Sequence, residues 1–217
     1  GTVTGVQTCA LPISQPELQL ASSFFIAPAS FSFFTVRNNA ILSTLGSNTL
    51  SATANGNFTL QAGATLKTQH PQGITENVTL FTGAIQTNLT RTFNSAANYE
   101  YNGTVNQVTG TGLPTTHTGT LTINNSGGYV ELTTSGSIGT NLVLQNGFFR
   151  IGSGNTYNLN SGGTISGTGG DFDTGANGGT LNLVGTATFS GNCNPFIVVA
   201  NGGANFGTGT VTIQNNG

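Results

Sequence analysis

Thr120 to Asn125 reads TLTINN, Thr180 to Gly185 reads TLNLVG and Thr210 to Gly217 reads TVTIQNNG. In each, a small polar residue alternates with leucine, isoleucine or valine, the period of two that a strand with one buried face requires. Working outward from Leu121, similar inward-looking positions fall at Leu142, Ile165, Phe189 and Val211. A recurrence every roughly 21 to 24 residues holds two or three short strands and marks a solenoid rather than a sandwich. The predicted fold is therefore all-β, a parallel β-helix (β-solenoid), right-handed by the general chirality of parallel crossovers.

The same alternation is carried by Phe58 with Leu60, Val78 with Leu80, Tyr99 with Tyr101, Val130 with Leu132, Tyr157 with Leu159 and Leu181 with Leu183. Between these runs lie Asn146-Gly147, Gly162-Gly163 and Asn201-Gly202, steps that supply the positive-φ positions of tight turns. Helical periodicity is almost absent.

Composition agrees with a stack. The chain has 33 Gly, no Met, no Trp and 5% charged residues. Counterparts on successive coils sit about 4.8 Å apart, so like charges would face one another at a cost. Threonine, serine and asparagine avoid that repulsion, and asparagine can hydrogen-bond along the stack. With four Lys plus Arg in 217 residues, no basic surface exists to neutralise phosphates, which argues against nucleic-acid binding. Polybasic attraction to a membrane fails for the same reason. The apolar segment Leu20 to Val36 lacks a preceding basic region and contains Pro28, so neither a signal peptide nor a membrane span is expected there.

Val3 to Ile13 reads VTGVQTCALPI, the in-frame translation of a widely used short-read library adapter, and Ser14 fits its last base. Residues 1–14 are accordingly expected to have no native structure, 15–35 to form an N-terminal cap or junction, and 36–217 to be one solenoid domain truncated at both ends. Flanking coils of the same parent chain are then expected neighbours. Excluding Cys9 with the adapter leaves Cys193 alone, so no internal disulfide is expected.

The stretches ATLKTQHPQGI (Ala64 to Ile74), GAIQT (Gly83 to Thr87), RTFNSAANYEYNGTVNQVTGTGLP (Arg91 to Pro114) and GTLTINNSGG (Gly119 to Gly128) resemble repetitive surface proteins of Bacteroidetes. Those are large, adhesin-like proteins that commonly carry a C-terminal sorting domain for type IX secretion. The resemblance covers Asn48 to Gly128 and implies export and display at the cell surface. It brings no catalytic residues with it.

Candidate chemistry is sparse. Asp171 and Asp173 in GGDFDTG place two carboxylates on one face and are the cation candidate, for calcium, with a solvated turn as the competing reading. Glu131, Arg150 and Asp171 follow one another at intervals close to one coil, so they are expected to stack on neighbouring coils, as a charged groove or as a surface ladder. Tyr99 and Tyr101 flank Glu100 and could offer two phenols to a sugar, with core packing as the alternative. His70 and His117 read as surface histidines. Thr120/Thr122, Thr186/Thr188 and Thr210/Thr212 bring to mind flat ice-binding faces, but without strict register. The leading expectation is a structural or adhesive, non-enzymatic segment with no cofactor, its partner a cell-surface or matrix polysaccharide. The rivals are a carbohydrate-active β-helix and, third, an ice-binding solenoid.

Overall fold

The structure, a computed structural model, describes residues 17–25, 32–52, 55–160, 162–173, 179–183, 187–191, 203–205 and 211–213. Among them it is all-β, and every strand pairing is parallel. The chain winds as a β-solenoid.

The longest sheet takes one segment from each coil: Glu17–Leu20, Ile41–Thr44, Thr65–Thr68, Asn98–Tyr101, Thr120–Leu132, Asn141–Ile151, Thr164–Gly167, Ala187–Gly191 and Val211–Ile213. Its inward column runs Leu18, Leu42, Leu66, Tyr99, Leu121, Leu142, Ile165 by direct register. From Leu42 onward these residues are all buried. Each coil thus covers the apolar side chains of the next, the nearest-neighbour arrangement on which a solenoid depends.

A second sheet stacks Thr116–His117, Gly136–Ile138, Thr156–Leu159, Thr180–Leu183 and Gly203–Asn205. In the N-terminal coils the other sides are formed by Phe24–Phe25, Leu50–Ser51 and Ile85–Gln86, and by Ser32–Val36, Gly56–Leu60 and Arg91–Phe93. Aromatic rings line the interior of both halves. Phe58 lies 6.2 Å from Phe34 and 5.5 Å from Phe93, and Phe149 lies 5.2 Å from Tyr157 and 5.7 Å from Phe172. All are within the range in which ring pairs add to simple burial.

Several expectations are corrected by register. The partner of Phe189 is Ile213, not Val211, so that coil is longer than the sequence spacing implied. TLNLVG is not equivalent to TLTINN: Thr180–Leu183 belongs to the second sheet, Thr120 to the long one. Val78 and Leu80 lie in no strand, because the coil from Leu66 to Tyr99 is longer than its neighbours and its extra chain leaves the stack as a loop. Glu17–Leu20 and Ser32–Val36 pair with the next coil. The adapter-like residues 1–14 lie outside the described residues.

The corner between the two segments of Thr120–Leu132 is fixed by glycine and buried amides. Gly147 has φ +72°, and a Cβ there would come within 2.2 Å of the Asn125 carbonyl oxygen, so no side chain fits. Asn125, fully buried, donates from Nδ2 to the Val105 carbonyl (2.6 Å) and to Gln107 Oε1 (3.0 Å). Gln107 in turn donates to the carbonyls of Thr68 (3.0 Å) and His70 (3.2 Å). These two side chains tie three successive coils together at a bend where ladder hydrogen bonds are interrupted.

Candidate functional site

Past the Asn125 corner, the chain turns onto a short face made by Gln107–Val108, the end of Thr120–Leu132, the end of Asn141–Ile151, and Asp171–Asp173. Alternation buries Val130, Phe149 and Phe172 and turns Tyr129, Glu131, Phe148 and Arg150 outward. Register then sets Tyr129 beside Phe148 and Glu131 beside Arg150. The Arg150 guanidinium carbon lies 3.7 Å from the centre of the Tyr129 ring, a cation–π contact. Phe148 is 39% exposed although its neighbour Phe149 is fully buried.

Of the spaced trio Glu131, Arg150 and Asp171, the first pair is in register. The second is not: Arg150 is opposite Asp173, and Asp171 is opposite Phe148. The coil joining these positions is longer than the interval that suggested the match. The side chains of Asp171 and Asp173, the calcium candidates, lie outside the described residues. Among the described residues no group of three His, Cys, Asp or Glu side chains converges as a metal site.

Tyr99 and Tyr101 are not a ligand surface. Both are buried, because the strand Asn98–Tyr101 turns them toward the core between Leu66 and Leu121 and between Thr68 and Ile123, leaving Glu100 outside. Their hydroxyls donate to the carbonyls of Asn94 (2.9 Å) and Thr109 (2.8 Å), and burial raises both phenols above their ordinary range. His70 and His117 are buried as well, contrary to a surface placement. His70 Nδ1 accepts from the Gln72 backbone (3.1 Å) and burial lowers its pKa. His117 packs edge-on against Tyr99 at 5.1 Å, and its ring nitrogens lack a well-formed hydrogen bond. Burial lowers it to about 4, the backbone at Thr120 opposing the shift only in part.

The outward face of the long sheet has a different character. Its columns place Thr120, Asn141 and Thr164 in one file and Thr122, Val143 and Ser166 in the other. By backbone register Thr188 stands opposite Thr212, whereas Thr120 and Thr122 stand opposite Asn141 and Val143. Toward the N-terminus a polar relay crosses the coils: Lys67 Nζ lies 3.7 Å from both Glu17 and Glu100, Glu100 accepts from Asn124 (3.0 Å), and Asn124 accepts from Asn146 (2.6 Å).

Sequence reasoning passed over Arg91. It is buried, and donates from Nε to the Thr87 carbonyl (2.8 Å) and from Nη1 to the carbonyls of Thr75 (3.0 Å), Asn77 (2.9 Å) and Leu80 (3.1 Å). One guanidinium thus holds the loop of the widened coil. Desolvation lowers its pKa, but an arginine stays charged. The only hint in the sequence is a lone arginine following a stretch too long for one coil.

The fold and its faces define a parallel β-solenoid with two chemically distinct outer surfaces. No known protein family, curated protein or solved structure matches the chain.

Proposed function

We propose that this chain is a structural and adhesive segment of an exported bacterial surface protein, a ladder that spaces and displays contact groups. The observation that carries the reading is the long outward face, whose register-matched positions from Thr120 to Ser166 are neutral on every coil. Such a face adds coil upon coil without charge repulsion, as an extended spacer requires. The resemblance of Asn48 to Gly128 to repetitive surface proteins supports export, and a matrix or cell-surface polysaccharide is the partner that hydroxyl, amide and aromatic groups suit. Single-molecule pulling tests the spacer role: resistance released in steps of one or a few coils is expected, and extension without resistance would sink it. Polysaccharide cleavage that Glu131→Gln abolishes would instead make the chain a carbohydrate-active β-helix.

A second reading draws on the same face. Thr120 with Thr122 and Thr164 with Ser166 set hydroxyls about 6.6 Å apart along each strand, a lattice whose intervening coil carries Asn141 and Val143. Ice is a surface such a lattice suits. Thermal hysteresis that disappears in Thr164→Lys supports this reading, and its absence in the unaltered chain removes it.

A further inference from the structure

Charge is scarce in this protein, with four Lys plus Arg and six Asp plus Glu. Two of these charged residues, Glu131 and Arg150, nonetheless stand opposite one another on the short face. On the long sheet, the outward positions of the corresponding coils are Thr120, Thr122, Asn141, Val143, Thr164 and Ser166. An exposed pair of opposite charges on adjacent coils adds little to the stability of the stack. Two aromatic rings, Tyr129 and Phe148, stand side by side in the same array.

We propose that this face is a binding platform for a neutral polysaccharide chain lying across the coils. The proposal rests on the adhesive reading and gives it a site and a ligand class. Phe148 supplies an exposed apolar ring for the C–H face of a hexose. Glu131 accepts hydrogen bonds from vicinal hydroxyls, and Arg150, steadied on the Tyr129 ring, donates to ring or hydroxyl oxygens. Coils about 4.8 Å apart set these contacts at a spacing comparable with the length of one sugar unit. The charge balance selects the ligand. Glu131 and Arg150 stand opposite one another and balance in charge, an array with no excess of either sign to hold uronates or sulfated chains, which leaves neutral hydroxyl-rich ones favoured.

The test is titration of the full chain with soluble neutral polysaccharides (a β-glucan, a mannan and a xylan) and with polygalacturonate, followed by calorimetry or affinity electrophoresis. At least one neutral polymer is expected to bind, and polygalacturonate to bind more weakly than that polymer. Phe148→Ala should weaken the binding about tenfold, Phe148→Tyr should restore it, and Thr122→Ala on the other face should leave it unchanged. Phe148 stands partly out of the fold, so the far-ultraviolet spectrum of Phe148→Ala should match that of the parent. Full binding by Phe148→Ala overturns the platform, as does preference for polygalacturonate or binding of no neutral polymer. Each of those results leaves the pulling experiment free to support the spacer role. Loss of mechanical resistance with binding intact would remove the spacer role and leave the platform.

Discussion

The coils between Leu121 and Ile165 and the coil between Leu66 and Tyr99 solve one problem in two ways. The first are close to one another in length and close over an apolar interior in which Phe149 touches Tyr157 and Phe172. The second takes more chain than the stack can absorb, and the surplus is held from inside by polar groups. Arg91 gathers four carbonyls there, and Gln107 reaches back to two more at Thr68 and His70. A strand satisfies its backbone through its neighbours, whereas a loop that leaves the ladder must find donors elsewhere. Regular coils are therefore held by area, and the irregular coil by hydrogen bonds to buried side chains.

The sharpest way to break the regular side is Phe149→Ala. It removes a fully buried ring with partners on its own coil and the next, and about 3 to 5 kcal/mol of stability should go with it, read from the denaturant midpoint. Because coils are stabilised by their neighbours, hydrogen exchange should accelerate first in Thr120–Leu132 and Thr164–Gly167.

Arg91→Ala tests the other side and should cost about 3 kcal/mol, since it strips donors from several carbonyls at once. Protease sensitivity should rise between Thr75 and Thr82, and Arg91→Lys should recover little, because one ammonium lacks the forked geometry. If the loop stays protected in Arg91→Ala, the contrast between the two kinds of coil fails.

What could be read in advance divides along the same line. Alternation and a recurring coil length made the solenoid legible, since both follow from burying every second side chain on a stack. Register was legible only approximately, as Val211 in place of Ile213 and Asp171 in place of Asp173 demonstrate. Turn lengths differ from coil to coil, and a slip by one full alternation keeps the same face inward. TLNLVG misled for a related reason: local sequence states that a strand has one apolar face, not which side of the coil it forms. Tyr99, Tyr101 and His117 were illegible because a polar tip on an apolar ring suits either side of a sheet. What decided their place was register, Tyr99 between Leu66 and Leu121, Tyr101 between Thr68 and Ile123 and His117 beside Ile138, a property of neighbouring coils.

His117 gives the interior a dependence on pH. Its folded pKa is held at about 4 against an ordinary 6.5, so the neutral ring is the form that folds. Stability from this group is fully present above pH 6.5 and is lost as pH falls toward 4, because the unfolded chain takes up the proton first. About 2 kcal/mol should disappear across that window. His70, lowered by burial too, adds in the same direction. Glu17, lowered chiefly by its hydrogen bond from Ser43, contributes stability that is lost only below its ordinary 4.5. Denaturant midpoints at pH 7.5 and 5.0 therefore isolate the histidines, and His117→Phe should flatten the difference. An unchanged difference in that variant would show that the ring is not buried neutral against Tyr99.

The smallest effect bears on why the stack avoids charge. Lys67 lies 3.7 Å from both Glu17 and Glu100, in partly exposed surroundings, so Lys67→Ala should cost under about 1 kcal/mol and less in high salt. Lys67→Glu should cost more than Lys67→Ala, because position 67 is directly in register with Glu100 and the change sets like charges face to face. Salt should restore most of the loss in Lys67→Glu and little of that in Lys67→Ala, a difference readable from denaturant midpoints at low and high ionic strength. Equal costs for the two variants would mean that repulsion across coils is too weak to have shaped the outer faces. The neutral threonine files would then owe their composition to what they contact rather than to the stack.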